Sequence, residues 1–158
     1  MGDGQQSARL RDLAGPNVTF TGYLDQSRYV AAVSQARALV FAGCEDFGIA
    51  LAEAQSAGTP LIAFGRGGAR DIVREAGTTD APTGVLFDAQ TADTIAAAVE
   101  RFEAHAQAIT PAACRANAQR FSSARFRREM AAAFDMALEM HGLNATTRDQ
   151  VASRTWAS

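Results

Sequence analysis

The sequence predicts an α/β domain: a mostly parallel sheet flanked by helices and followed by further C-terminal helices. Three observations predict it. Short apolar runs alternate with amphipathic stretches along the chain, the pattern of β-α units rather than of hairpins. The runs Ala38 to Phe41 (ALVF) and Leu61 to Phe64 (LIAF) are apolar throughout, as suits strands covered on both faces. Helix-stopping punctuation, such as Gly58 followed by Pro60, falls just before a strand and marks the return to the sheet.

In chain order, residues 5–14 read as a helix with Leu10 and Leu13 on one face, stopped by Gly15-Pro16-Asn17. Val18 to Thr21 (VTFT) reads as a strand. Asp25 is placed to cap a helix that carries Tyr29, Val30 and Val33 at helical spacing. After the strand at Ala38 to Phe41, a loop from Ala42 to Phe47 leads into a helix over Gly48 to Ala57, which Gly58 ends. The strand Leu61 to Phe64 runs into the turn Gly65-Arg66-Gly67-Gly68. A short helix is expected around Asp71 to Ala76, then a strand at Gly84 to Phe87 (GVLF). Thr91 caps an alanine-rich helix to about His105, and Thr110-Pro111 is a cap with a first-turn proline. Ser122 or Ser123 opens a last helix to Gly142. Residues 1–142 are expected to form one domain and 143–158, polar and unpatterned, a disordered tail.

The chain has 158 residues, enough for one domain with a proper core, and 47% hydrophobic with 20% charged residues is ordinary for a soluble protein. A net charge of −2 offers no electrostatic reason to expect nucleic acid. No apolar run is long enough to span a bilayer, and the first residues lack a signal-peptide core, so a cytoplasmic location is expected. Two histidines and two distant cysteines supply too few ligands for a His/Cys metal site. All fifteen basic residues are arginine.

The chemistry concentrates in residues 44–60, CEDFGIALAEAQSAGTP, between a buried strand and its following helix. Ligands of open parallel sheets bind at the carboxyl ends of strands, where this loop lies. Gly48 lets a ligand approach the backbone, and the amides of Phe47, Gly48 and Ile49, after Asp46, face outward at the positive end of a helix, suited to a diphosphate. Glu45 and Glu53, with seven residues between them, address the same side of that helix start.

The segments EDFGIALAE, EAQSAGTP-LIAF and GRGGARDIV, with VTFTGYL, SRYVAAVSQA and RFSSARFR, resemble the C-terminal domain of retaining GT-B glycosyltransferases of the E-x7-E type, the glycosyl transferases group 1, and within them mannosyltransferase-like members. The resemblance implies a Rossmann-like half of a GT-B fold that binds a nucleotide-diphosphate sugar, with GDP-mannose as the donor class. It implies that Glu45, the candidate catalytic residue, contacts the donor sugar's hydroxyls and Glu53 the ribose. The amides after Asp46 hold the sugar and diphosphate, and Gly22, Tyr23 and Leu24 line the base pocket. A carboxylate suits a vicinal diol because it accepts two charge-assisted hydrogen bonds. No metal and no cofactor are expected. In the family this half opens with strands and a basic pair that the chain does not match, so an N-terminal truncation is expected, with the missing N-terminal domain supplied in cis or in trans. The expected consequences are that the fragment is inactive alone, that 18–21 either stays apart or pairs with 38–41, and that the full protein lies in the cytoplasm or at the inner membrane face. An alternative is a non-catalytic binding module that needs a partner chain.

Three weaker signals are set aside. Gly65 to Gly68 with Asp88 loosely imitates a dinucleotide fingerprint of an oxidoreductase, but Arg70 falls where its third glycine belongs. Cys44 is expected to be a buried strand-end cysteine. The arginines from Arg115 to Arg128 read as the solvated face of helices docked by Phe121 and Phe126.

Overall fold

The computed structural model describes residues 3–141, so the expected tail at 143–158 and Gly142 lie outside the described residues. The chain divides into two compact units between Ala118 and Gln119. The first holds a parallel sheet in the order β1-β2-β3, with β1 Leu39–Phe41, β2 Leu61–Phe64 and β3 Gly84–Phe87. Leu39 stands beside Leu61 and Leu61 beside Gly84. Parallel neighbours need a crossover; α3 (Ile49–Ala57) joins β1 to β2, and α4 (Ala69–Ile72) lies in the connection from β2 to β3.

Residues from the sheet and the helices after it make one apolar cluster. Ile62, Val85 and Phe87 pack with Ala98 and Phe102 of the helix at Ala92–His105, and with Ile109 and Cys114. Pro111–Ala118, the next helix, lies along α3. Numbered in chain order, these are α5 and α6, after α1 (Ser7–Leu13) and α2 (Gln26–Gln35).

The caps follow the sequence. Asp25 accepts the Arg28 amide at 2.9 Å, Thr91 and Thr94 form a reciprocal capping box, and Thr110 accepts the Ala113 amide at 3.1 Å. Gly58, at φ 92°, returns its amide to Gln55 at the end of α3, the left-handed ending that a glycine tolerates.

Two expectations are corrected. Val18 to Thr21 is not a strand: β1 does not pair with it, so the segment stays apart, without regular secondary structure and largely exposed. A strand needs a neighbour for its backbone groups, and a β-rich run without one forms no ladder. The helix expected at Asp71 to Ala76 is α4, Ala69–Ile72, because Val73 turns to extended backbone and Glu75 bridges to Gly84 beside β3. The apolar face of α1 finds no cover among the described residues, and Leu13 is 72% exposed.

The second unit contains a 3-10 turn at Gln119–Phe121 and α7, Ser123–Met140, opened by Ser122 accepting the Arg125 amide. Arg120 stacks its guanidinium 5.1 Å above Phe121, and Arg125 pairs with Glu129 at 2.5 Å. No helix among the described residues is long and apolar enough to cross a membrane.

Candidate functional site

The three strands point their carboxyl ends the same way, so the loops after Phe41, Phe64 and Phe87 gather at one edge of the sheet. The loop after β1 ends on Gly48, which caps α3 in the left-handed conformation at φ 86°. A Cβ there would also meet Leu51 at 3.1 Å and Ile72 at 3.4 Å. Both the backbone and the space therefore call for glycine. No side chain caps α3, whose first turn is closed only by Leu51 and Ala52 donating to the Gly48 carbonyl at 3.0 and 3.1 Å. The amides of Gly48 and Ile49 donate to nothing among the described residues. Open amides and the positive end of a helix make a place for an anion.

The turn after β2 fixes this loop. Gly68 donates its amide to the Glu45 carbonyl at 2.9 Å. A Cβ on Gly68 would stand 1.8 Å from the Phe47 carbonyl oxygen, and one on Gly67 2.2 Å from that of Glu45. Two backbones meet here with no room for a side chain, so the glycines of Gly65 to Gly68 serve loop packing. The Gly68 amide is thereby taken by the protein's own backbone. Arg66, exposed at its tip, forms no ion pair among the described residues.

The side chains of Glu45, Asp46, Phe47 and Ile49 are exposed along one continuous stretch, and Glu53 is exposed on α3. Glu45, Asp46 and Glu53 form no ion pair among the described residues. Tyr29 of α2 comes close enough to Glu53 to feel its charge: burial first, then that carboxylate, pushes the tyrosine hydroxyl above its ordinary value. Sequence reading placed Tyr29 only on a helix face; its position one α2 turn after the Asp25 cap was the available signal. Gly22, at φ 63°, and the half-buried Leu24 flank Tyr23, which is 84% exposed. No hydrogen bond or ion pair among the described residues links these three to the loop after β1.

Cys44 is exposed rather than buried, because it lies past the end of β1 in the loop. Cys114 is the buried cysteine, and both are free thiols. No group of three or more His, Cys, Asp or Glu among the described residues is placed to hold a metal ion.

The family model of glycosyl transferases group 1 matches residues 1–121. A comparison with curated protein sequences finds no match. Among solved structures, the sucrose-phosphate synthase from Thermosynechococcus elongatus is similar, with a TM-score of 0.67 and 25% sequence identity. The likeness covers 88% of this chain and 37% of that one, so this chain spans well under half the length of its structural relative. The three-stranded parallel sheet with flanking helices matches one half of a GT-B glycosyltransferase. With most of its length inside the family model, the chain belongs to the glycosyl transferases group 1.

Proposed function

We propose that this chain is the donor half of a retaining transferase of the E-x7-E type, binding a nucleotide-diphosphate sugar at the start of α3, with GDP-mannose as the donor class. The observation that carries the reading is the uncapped, glycine-started α3 between two exposed carboxylates, Glu45 and Glu53. In this reading the amides of Phe47, Gly48 and Ile49 receive the diphosphate, whose charge the helix end favours. Glu53 accepts the ribose hydroxyls and Glu45 those of the sugar. Gly22, Tyr23 and Leu24 line the base, and neither metal nor cofactor takes part. Domain boundaries of 1–142 belong to the same proposal, as does a location in the cytoplasm or at the inner face of a membrane.

Glycosyl transfer needs donor and acceptor held together in a cleft that excludes water. The reading leaves acceptor binding to residues beyond this chain, in cis or in trans, and the chain alone transfers no sugar. A second reading, a non-catalytic module completed by a partner chain, is favoured by the open edge of β1, which among the described residues pairs only with β2.

Calorimetry or ligand-observed NMR with GDP tests the division of roles. Glu53→Ala is expected to weaken GDP about tenfold, by loss of a charge-assisted acceptor, while Glu45→Ala leaves GDP binding unchanged and weakens only GDP-mannose. Equal loss of GDP affinity in both variants overturns the assignment.

A further inference from the structure

A cavity of about 440 Å³ opens beside the outer edge of β3, within the size range of small-molecule sites. The Phe87 carbonyl faces β2 and accepts the Gly65 amide at 2.7 Å. Carbonyls alternate along a strand, so that of Leu86 faces away from the sheet, toward the cavity. Arg101 of α5 donates to this carbonyl at 2.5 Å and reaches the Glu75 carboxylate at 3.7 Å. These two contacts hold a guanidinium at the cavity wall with donors left over.

Arg70 of α4 and Asp88, just past β3, line the same cavity. Neither side chain makes an ion pair among the described residues, with each other or with anything else. One cavity thus presents the Arg101–Glu75 ion pair, a cation at Arg70 and a carboxylate at Asp88, the last two outside any ion pair among the described residues. None of its lining residues belongs to the loop after β1 or to α3. Gly65 lines it, whereas Gly67 and Gly68 of the same turn press on the backbone of Glu45 and Phe47.

We propose that this cavity is a second ligand site, which takes a phosphorylated monosaccharide. Arg70 and Arg101 receive the phosphate, since guanidinium forks match its oxygens. Asp88 accepts from hydroxyls of the ring, and the gap between Arg70 and Asp88 is bridged by a ligand that carries both groups. The inference does not depend on the donor reading, because none of its residues belongs to that site.

The test is titration of the isotope-labelled chain with glucose 6-phosphate, followed by amide NMR shifts, with glucose and inorganic phosphate as separate probes. Saturable shifts at Arg70, Leu86 and Asp88 are expected, weakened about tenfold or more by Arg70→Ala and severalfold by Asp88→Asn. Arg70→Lys, which keeps the charge, retains more of the binding than the alanine variant. Both positions are exposed, so circular dichroism of the variants should match that of the parent. Saturating GDP leaves the shifts in place. The proposal is overturned if no saturable shift occurs, if Arg70→Ala binds like the parent, or if GDP displaces the sugar phosphate. Inorganic phosphate binding as tightly as glucose 6-phosphate would also overturn it, as an anion site without sugar recognition.

Discussion

The two flanks of the sheet are built differently. On the β2–β3 flank every buried side-chain nitrogen and oxygen among the described residues has a partner. Gln55 of α3 donates to the Thr83 hydroxyl at 2.8 Å, and Asn117 of α6 donates to Gln55 at 2.5 Å and to the Ile72 carbonyl at 2.6 Å. Arg74 donates its Nε to Asn117 at 3.0 Å and its amide to Thr83 at 3.0 Å. On the β1 flank the middle residue, Val40, is 47% exposed, although its register neighbour Ile62 is only 2% exposed. α1 buries nothing, and α2 buries only Val33. The comparison separates a flank that is complete by itself from one that is apolar yet open. A parallel strand is normally covered on both faces, and an apolar edge strand left open is a ready template for pairing.

Cutting both flanks at matched register positions gives the largest expected contrast. Ile62→Ala should cost about 2–5 kcal/mol, as removal of a buried isoleucine from a packed cluster does. Val40→Ala, in the adjacent register position, should stay below about 1 kcal/mol, because most of the deleted surface is already in water. Urea denaturation of the two variants measures the difference. Similar losses would mean that the β1 flank is covered in solution, by another copy or by another segment.

A smaller effect is expected from the polar network. Asn117→Ala removes two donors and one acceptor from a site that is 4% exposed at Asn117 and 0% at Gln55. It strands the Gln55 and Ile72 carbonyls without partners, at about 1–3 kcal/mol for a buried group left unsatisfied. If urea denaturation gave a loss below about 0.5 kcal/mol, water would have to replace the side chain, and the flank would be less sealed than its burial implies.

Much of this architecture was legible because its signals are local. LIAF and GVLF are β2 and β3 residue for residue, Gly58 ends α3, and Thr91, Pro111 and Ser122 start the helices they were expected to start. What depended on distant partners was not legible. VTFT has strand composition but no strand neighbour among the described residues, and residues 73–76 are drawn from helix by the bridge of Glu75 to Gly84. Gln55 and Asn117 look like ordinary polar helix residues, and only the fold turns them inward toward each other. At the candidate site, the identity of the loop and its glycine could be read from the sequence. The meeting of Gly68 with the Glu45 carbonyl, and of Tyr29 with Glu53, joins residues far apart in the chain, and no spacing encodes it.

A further effect comes from the buried cysteine, through the pH dependence of stability. Cys114 is fully buried, with its thiol 3.9 Å from the Thr83 carbonyl, whereas Cys44 is exposed in the loop after β1. Burial pushes the Cys114 thiol up from 9.0 to about 11, against a lesser downward pull from Arg115. The folded state therefore keeps a proton that the unfolded chain releases near pH 9.0. Below that pH the thiol is neutral in both states and its contribution is fully present. From there to about pH 11 the unfolded state is favoured progressively, by up to about 1.4 kcal/mol per pH unit for one proton. Above the folded value both states are ionised and the loss levels off. The window is unusually clear because the chain has no lysine. Tyr29, whose hydroxyl is also raised, adds a slope of the same sign at higher pH, which subtraction removes. Urea denaturation between pH 8 and 11 should therefore show a steeper fall for the parent than for Cys114→Ala. A parallel fall in the parent and Cys114→Ala would mean that Cys114 ionises in the folded state as freely as in the unfolded one, and that the β2–β3 flank admits water to its centre.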